Sequence, residues 1–203
     1  MEFWNSLLTE KSWRIMQELK KEDFRFIVIG GWAAYLWTKQ HKSKDIDILI
    51  LNFDDLEHVG KKYDLRKNDN LKKYEIKIEE IDIDIYISYY SKLTLDIGFI
   101  ANHTTKVEGF EVVLPEILLI LKQGAELDRK DSIKGQKDRI DIMTLLCYSK
   151  IDFKSYNNII EQHKLANYRQ RLRQIITTFK DLKHLNTNAN DYAKIKRQLL
   201  EKL

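Results

Sequence analysis

Cysteine and proline are nearly absent from this chain of 203 residues, which holds one of each. The lone Cys147 excludes an internal disulfide and suits a reducing compartment. Within the helical pattern of 136–149 it is expected to be a small core residue rather than a reactive thiol. There is no repeat, no low-complexity tract and no Pro- or Gly-rich linker. The longest apolar run, Phe26 to Trp37, falls short of the ~20 residues of a membrane span. The N-terminal MEFWNSLLTEK has neither a basic opening region nor a cleavage-like stretch, so no signal peptide is expected. These absences predict a soluble, cytoplasmic protein with no membrane partner. The five histidines are scattered without a metal-binding spacing, so no zinc site is expected.

What is present is charge and isoleucine. Hydrophobic residues make up 43% of the chain, enough for a real core, and charged residues 33%, above ordinary usage. The net charge of +4 is unevenly spread. Residues 151–203 carry 11 Lys/Arg against 5 Asp/Glu, a net +6, whereas 1–150 carry 24 against 26, a net −2. A basic helical tail fits either a polyanionic partner or a plainly solvated face.

Periodicity predicts an opening helix over 3–21, with Trp4, Leu7, Leu8, Ile15 and Leu19 on its apolar stripe. A short strand follows over 24–29, broken by Gly30-Gly31, and then a helix from Trp32 to about His41. Strands are expected at 44–51, 74–78 and 81–88, a helix at 54–63 and a loop at 66–70. A further strand pair at 105–114 brackets Glu108-Gly109. From Pro115, well placed to open a helix, only helical patterns appear: 116–129, 135–149, 153–164, 167–184 and 189–202. The expected class is α+β (α/β), a mixed sheet with flanking helices over 1–114, followed by a helical bundle over 115–203.

Two strands hold the chemistry. SKDIDILIL at 43–51 and IDIDIYI at 81–87 each set aspartates two apart among isoleucines. Side chains alternate faces along a strand, so Asp45 and Asp47 share one face, Asp82 and Asp84 share one face, and the isoleucines bury the other. Aspartate is disfavoured in strands, and charge on a sheet face needs solvent, a partner or a metal. If the strands are neighbours, up to four carboxylates meet, repel, and call for a hard divalent cation. Gly30-Gly31, between a strand and a helix, leaves backbone amides that can approach an anion such as phosphate.

The run IGGWAAYLWTKQHKSKDIDILI, with a later acid from EIDIDIYIS, resembles the polymerase-β-type nucleotidyltransferase superfamily. Within it the chain is most similar to the small prokaryotic branch that includes abortive-infection-type toxin enzymes, through LPEILLILKQGAELDRKDSIKGQKDRIDI at 114–142. The resemblance implies a nucleotidyltransferase fold in which Asp45 and Asp47 bind two magnesium (or manganese) ions bridging the triphosphate of an NTP. It assigns the third carboxylate, which completes the metal site and accepts the proton of the attacking hydroxyl, to Asp84, with Asp82 as rival. Gly30 and Gly31 would hold the triphosphate, Ser43 and Lys44 would touch phosphate oxygens, and Lys137 and Asp138 would lie near the cleft. The implied reaction moves a nucleoside monophosphate onto a hydroxyl of RNA, a protein or a small molecule. A toxin role with an antitoxin partner, or a homodimer, would accompany that reading.

Two alternatives stay open. A degenerate transferase fold could bind nucleotide or nucleic acid without turnover. Glu75-Ile76-Lys77 could instead be the carboxylate–x–lysine strand of a metal-dependent nuclease, which needs Asp64 or Asp69 on a neighbouring strand. In the helical part, Lys122, Glu126 and Arg129 on one face, and Lys137, Asp138 and Asp141 on another, are spaced for salt bridges between consecutive helices. Glu116 is expected to open a helix rather than ligate, and Tyr86, Tyr89 and Tyr90 to pack rather than stack on a base.

Overall fold

The isoleucine alternation at 81–87 becomes a strand in a computed structural model of the chain that describes residues 6–203. In the part up to Leu114 the elements are α1 (Ser6–Leu19), β1 (Ile27–Val28), α2 (Gly30–Thr38), β2 (Ile46–Ile50), α3 (Phe53–Lys62), β3 (Arg66–Asn68), β4 (Lys73–Ile78), β5 (Ile81–Ile87), α4 (Ile97–Ala101), β6 (Thr104–Val107) and β7 (Phe110–Val113). From Pro115 the elements are α5 (Pro115–Arg129), α6 (Ile133–Tyr148), α7 (Phe153–Gln162), α8 (Tyr168–Thr178), a 3₁₀ turn (Leu182–Leu185) and α9 (Ala189–Lys202). The chain thus divides into two units, an α+β unit ending at Leu114 and an all-helical one beginning at Pro115.

The sheet is mixed, in the order β3-β4-β5-β2-β1-β7-β6. β2 and β5 run parallel, as do β1 and β7, and the other neighbours are antiparallel. One face is apolar: Ile46, Ile48, Ile81, Ile83 and Ile85 are fully buried, each worth about 1.5–3 kcal/mol of transfer free energy at most. α1 packs on β5, and α2 and α3 on β2. Trp32 of α2 is fully buried and donates from Nε1 to Ser12 Oγ of α1 at 2.8 Å. The opposite face carries the acids.

Two of the hairpins form for legible reasons. Glu108 and Gly109, both at positive φ (51° and 78°), close β6 onto β7 in the geometry that suits a two-residue hairpin. At Glu79-Glu80 no glycine or asparagine helps, and Glu79 takes φ 54°. Its acidic tip is instead neutralised by α1, where Lys11 pairs with both glutamates and Arg14 with Glu79 at 3.0 Å.

Several expectations are corrected. Residues 66–68, read as loop, form β3, because Arg66 to Asn68 pair with β4 and Asn68 Nδ2 donates to Glu75 at 3.0 Å. The strand expected over 24–29 is regular only at Ile27–Val28, and α2 begins at Gly30 itself rather than Trp32. Leu7 is exposed, since it lies roughly 80° round the helix from Ile15; α1 buries Thr9, Ser12, Ile15, Met16 and Leu19 instead. Trp4 and the turn expected from residue 3 lie outside the described residues. The helix expected over 167–184 stops at Thr178, where Phe179 turns extended and its ring packs 6.1 Å from that of Tyr192. Thr177 and Thr178 bond back to the carbonyls of Arg173 and Gln174 just before the break.

The helical unit is cemented by buried polar groups. Gln123, fully buried, donates to the Tyr168 carbonyl at 2.9 Å and accepts from Tyr156 Oη at 2.7 Å. Among the described residues no helix is long and apolar enough to cross a membrane.

Candidate active site

The site begins at a bend that only glycine fits. β1 runs into Ile29, whose N–H donates to the Asp47 carbonyl at 3.0 Å. Gly30 then takes φ +65° and opens α2. A Cβ at position 30 would sit 2.6 Å from Asp47 Cγ and 2.8 Å from Asp47 Cβ. The glycine is therefore required twice, by its backbone angle and by the carboxylate lying against it. Gly31 is buried in the first turn of α2, whose N-terminus receives no side-chain cap. An uncapped helix start directs amides and a partial positive charge toward an anion.

Parallel pairing sets Asp47 of β2 directly opposite Asp84 of β5, at an interstrand spacing of about 4.8 Å. Asp45, expected within the strand, lies in the bend just before β2, and its Oδ1 is buried with no hydrogen-bond partner. On the far side of β5, antiparallel β4 brings Glu75 opposite Asp84. Lys73, nearly buried, reaches across the ladder with Nζ 2.6 Å from Asp84 Oδ2 and 3.0 Å from Glu75 Oε1.

The titration behaviour follows from this packing. Burial first, and then the charge of Asp47, push the Asp84 carboxyl up to about 6, although Lys73 works against both. Burial pulls the Lys73 ammonium down, but its bonds to Asp84 and Glu75 prevail and hold it above the usual lysine value. Glu75 is held below the ordinary range chiefly by Lys73, assisted by Asn68.

This donor set fits a hard divalent cation. Every group is a carboxylate oxygen, and an orphaned buried oxygen on Asp45 asks for a partner of positive charge. Among the described residues, no three acidic, histidine or cysteine side chains converge closely enough to hold a metal as they stand. Asp84 is engaged by Lys73 instead.

The other expected residues fall as follows. Asp82 is exposed beside Lys77, at 3.7 Å, and is no part of the buried cluster. Ser43 is buried and Lys44 half-buried on the approach to Asp45. Lys137 is half-buried on α6. In the same unit Lys122 pairs with Asp141 at 2.6 Å and Asp138 at 3.6 Å, and Arg129 with Asp138 at 2.7 Å, which joins α5 to α6. Fully buried Glu126 receives both Arg139 and Arg171. Glu116, in the first turn of α5, accepts from the Asp152 N–H at 2.7 Å.

The nuclease arrangement lacks its upstream acid. Asp64 pairs with Arg66, and Asp69 with Lys67 and the Tyr90 hydroxyl. Tyr90 packs 5.3 Å from Tyr74 beneath Lys67 and Lys72, while Tyr89 is fully exposed. Lys73 and Glu75 were not singled out as part of the aspartate cluster by sequence reasoning. The signal for them was the charged alternation Lys73, Glu75, Lys77 on β4, complementary to Asp82 and Asp84 across the ladder.

No family model matches the chain, and no curated protein matches it. Among solved structures the chain is similar to ANT(2")-Ia in complex with adenylyl-2"-tobramycin, at 13% identity, covering 82% of this chain and 99% of that one with a TM-score of 0.49. It is also similar to the lincomycin-bound lincosamide antibiotic adenylyltransferase LnuA, at 16% identity over 71% of this chain and 98% of that one, TM-score 0.44. A third similar structure is an antigenic nucleotidyltransferase-like protein from Paracoccidioides brasiliensis, at 14% identity over 70% and 77% of the respective chains, TM-score 0.42.

Proposed function

We propose that this chain is a divalent-cation-dependent nucleotidyltransferase, moving a nucleoside monophosphate from an NTP to a hydroxyl acceptor with release of pyrophosphate. The observation that carries it is the register of β2 on β5, which puts Asp47 opposite Asp84 beside a glycine bend that only a bare backbone can make. The motif order, glycine pair, helix, paired aspartates and later acid, supports the same reading.

Asp45 and Asp47, with Asp84, would hold magnesium. The cations would supply charge neutralisation at the entering and leaving oxygens of an in-line displacement at phosphorus. Gly30 and Gly31 would present amides to the triphosphate, with Ser43 and Lys44 as further phosphate contacts. Asp84 is favoured over Asp82 as the acceptor of the hydroxyl proton because it is the half-buried partner of Asp47, whereas Asp82 is solvated. A carboxylate whose affinity for protons is raised by burial is suited to a general base.

The basic surplus of residues 151–203 supports an RNA acceptor over a neutral small molecule. The setting is the cytoplasm, and an antitoxin-like partner that silences the enzyme, or a second copy of the chain, would complete it. The test is incubation with labelled NTPs, magnesium and cell extract. Label moves to an acceptor with the native protein and not with Asp45→Ala or Asp47→Ala; transfer that persists in both variants removes the mechanism.

A further inference from the structure

Lys73 stands where a cation is wanted. Its ammonium contacts Asp84 at 2.6 Å, on the residue paired with Asp47, and Glu75 lies 3.0 Å away as a second acceptor directly opposite Asp84. The lysine is nearly buried, so its charge is not there for solubility. Three carboxylates on adjoining strands repel strongly in a partly desolvated face, and a buried ammonium with two acceptors lowers that repulsion. The same contact occupies Asp84, the acid opposite Asp47.

We infer that Lys73 is a resident counter-cation that holds the acidic face together in the metal-free protein and must shift from Asp84 onto Glu75 before a divalent cation can be bound by Asp84. Glu75 is the receiving end of that exchange: it keeps the displaced ammonium paired, so Lys73 is never left buried without a partner. Lys73 and Glu75 are positioning residues in this scheme, acting through Asp84. The inference rests on the proposed cation site and adds to it the competitor that sets its affinity.

Manganese binding without nucleotide, followed by calorimetry and by the spin-resonance signal of free Mn²⁺, tests it. Lys73→Met binds Mn²⁺ about ten-fold or more tighter than the native protein, because an opposing unit charge within contact distance is removed. Lys73→Arg keeps a cation and returns affinity to the native level. Glu75→Gln weakens binding, since the ammonium loses its refuge. In the native protein, the side-chain NH₃⁺ resonance of Lys73 shifts on titration with Mg²⁺, a readout that needs no variant to fold. A Lys73→Met protein that is folded by circular dichroism yet binds Mn²⁺ no tighter, or a Lys73 resonance unmoved by saturating Mg²⁺, overturns the exchange while leaving the cation site intact. If neither the native protein nor Lys73→Met binds Mn²⁺ at all, the cation site itself is wrong and the exchange falls with it.

Discussion

Gly30 and Asp47 leave no room for a side chain between them: a Cβ on the glycine would lie 2.6 Å from the aspartate Cγ. The carboxylate that faces Asp84 is thus held against the backbone turn that opens α2. Replacing Gly30 by alanine strains a φ of +65° and pushes Asp47 aside together. The strain alone costs about 1–3 kcal/mol, visible as a lower thermal midpoint. Displacing a reacting group by about 1 Å costs on the order of a hundred-fold in rate, so transfer activity falls further than stability explains.

The two aspartates of β5 separate cleanly. Asp84→Ala removes the acid opposite Asp47, and activity drops about 10²–10⁴-fold, the range for losing a general base. Asp82→Ala removes only an exposed partner of Lys77, and both rate and stability stay within about 0.5 kcal/mol of native. Equal losses in the two variants, measured by label transfer, would reverse the assignment.

In the helical unit, Glu126 is fully buried between two guanidinium groups, those of Arg139 and Arg171. Glu126→Gln leaves two cations facing a neutral amide, and urea unfolding should register a loss of about 3–5 kcal/mol, the usual result of stripping one member from a buried ionic cluster. Arg169→Ala, which removes an exposed partner of Glu161, shifts the same midpoint far less.

Cys147 is half-buried, and burial pushes its thiol up to about 11. The folded-state value lies above the ordinary one of 9.0, so folding favours the protonated thiol. Its contribution to stability is complete below pH 9 and is lost as pH rises through about 11. Alkylation by iodoacetamide at pH 8 is therefore slow in the native protein and fast in urea. Rapid native-state modification would contradict the packing.

The sequence alone determined the pieces whose signals are local. Alternation in IDIDIYI is a property of seven consecutive residues, and it fixed which side chains of β5 are buried before any partner strand was known. The stop-and-start from strand to helix at Gly30-Gly31 and the opening of α5 at Pro115 were equally local. α9 followed its apolar period to the residue, Ala189–Lys202. The extent of α8 did not, because Phe179 leaves the helix to reach Tyr192, a contact thirteen residues away.

Tertiary structure decided what the acids face. That Asp47 meets Asp84 and not Asp82 depends on the register of two strands separated by a helix and two further strands, and a slip of two residues would keep every side chain on its face while changing every partner. Lys73 and Glu75 joined the cluster for the same reason: antiparallel pairing of β4 on β5 put Glu75 across from Asp84 and Lys73, two residues along, within reach of it, where the low polarity of a half-covered sheet makes one ammonium decisive. Composition sets the charges a chain owns. Register sets which of them are forced together, and electrostatic energy depends on that separation.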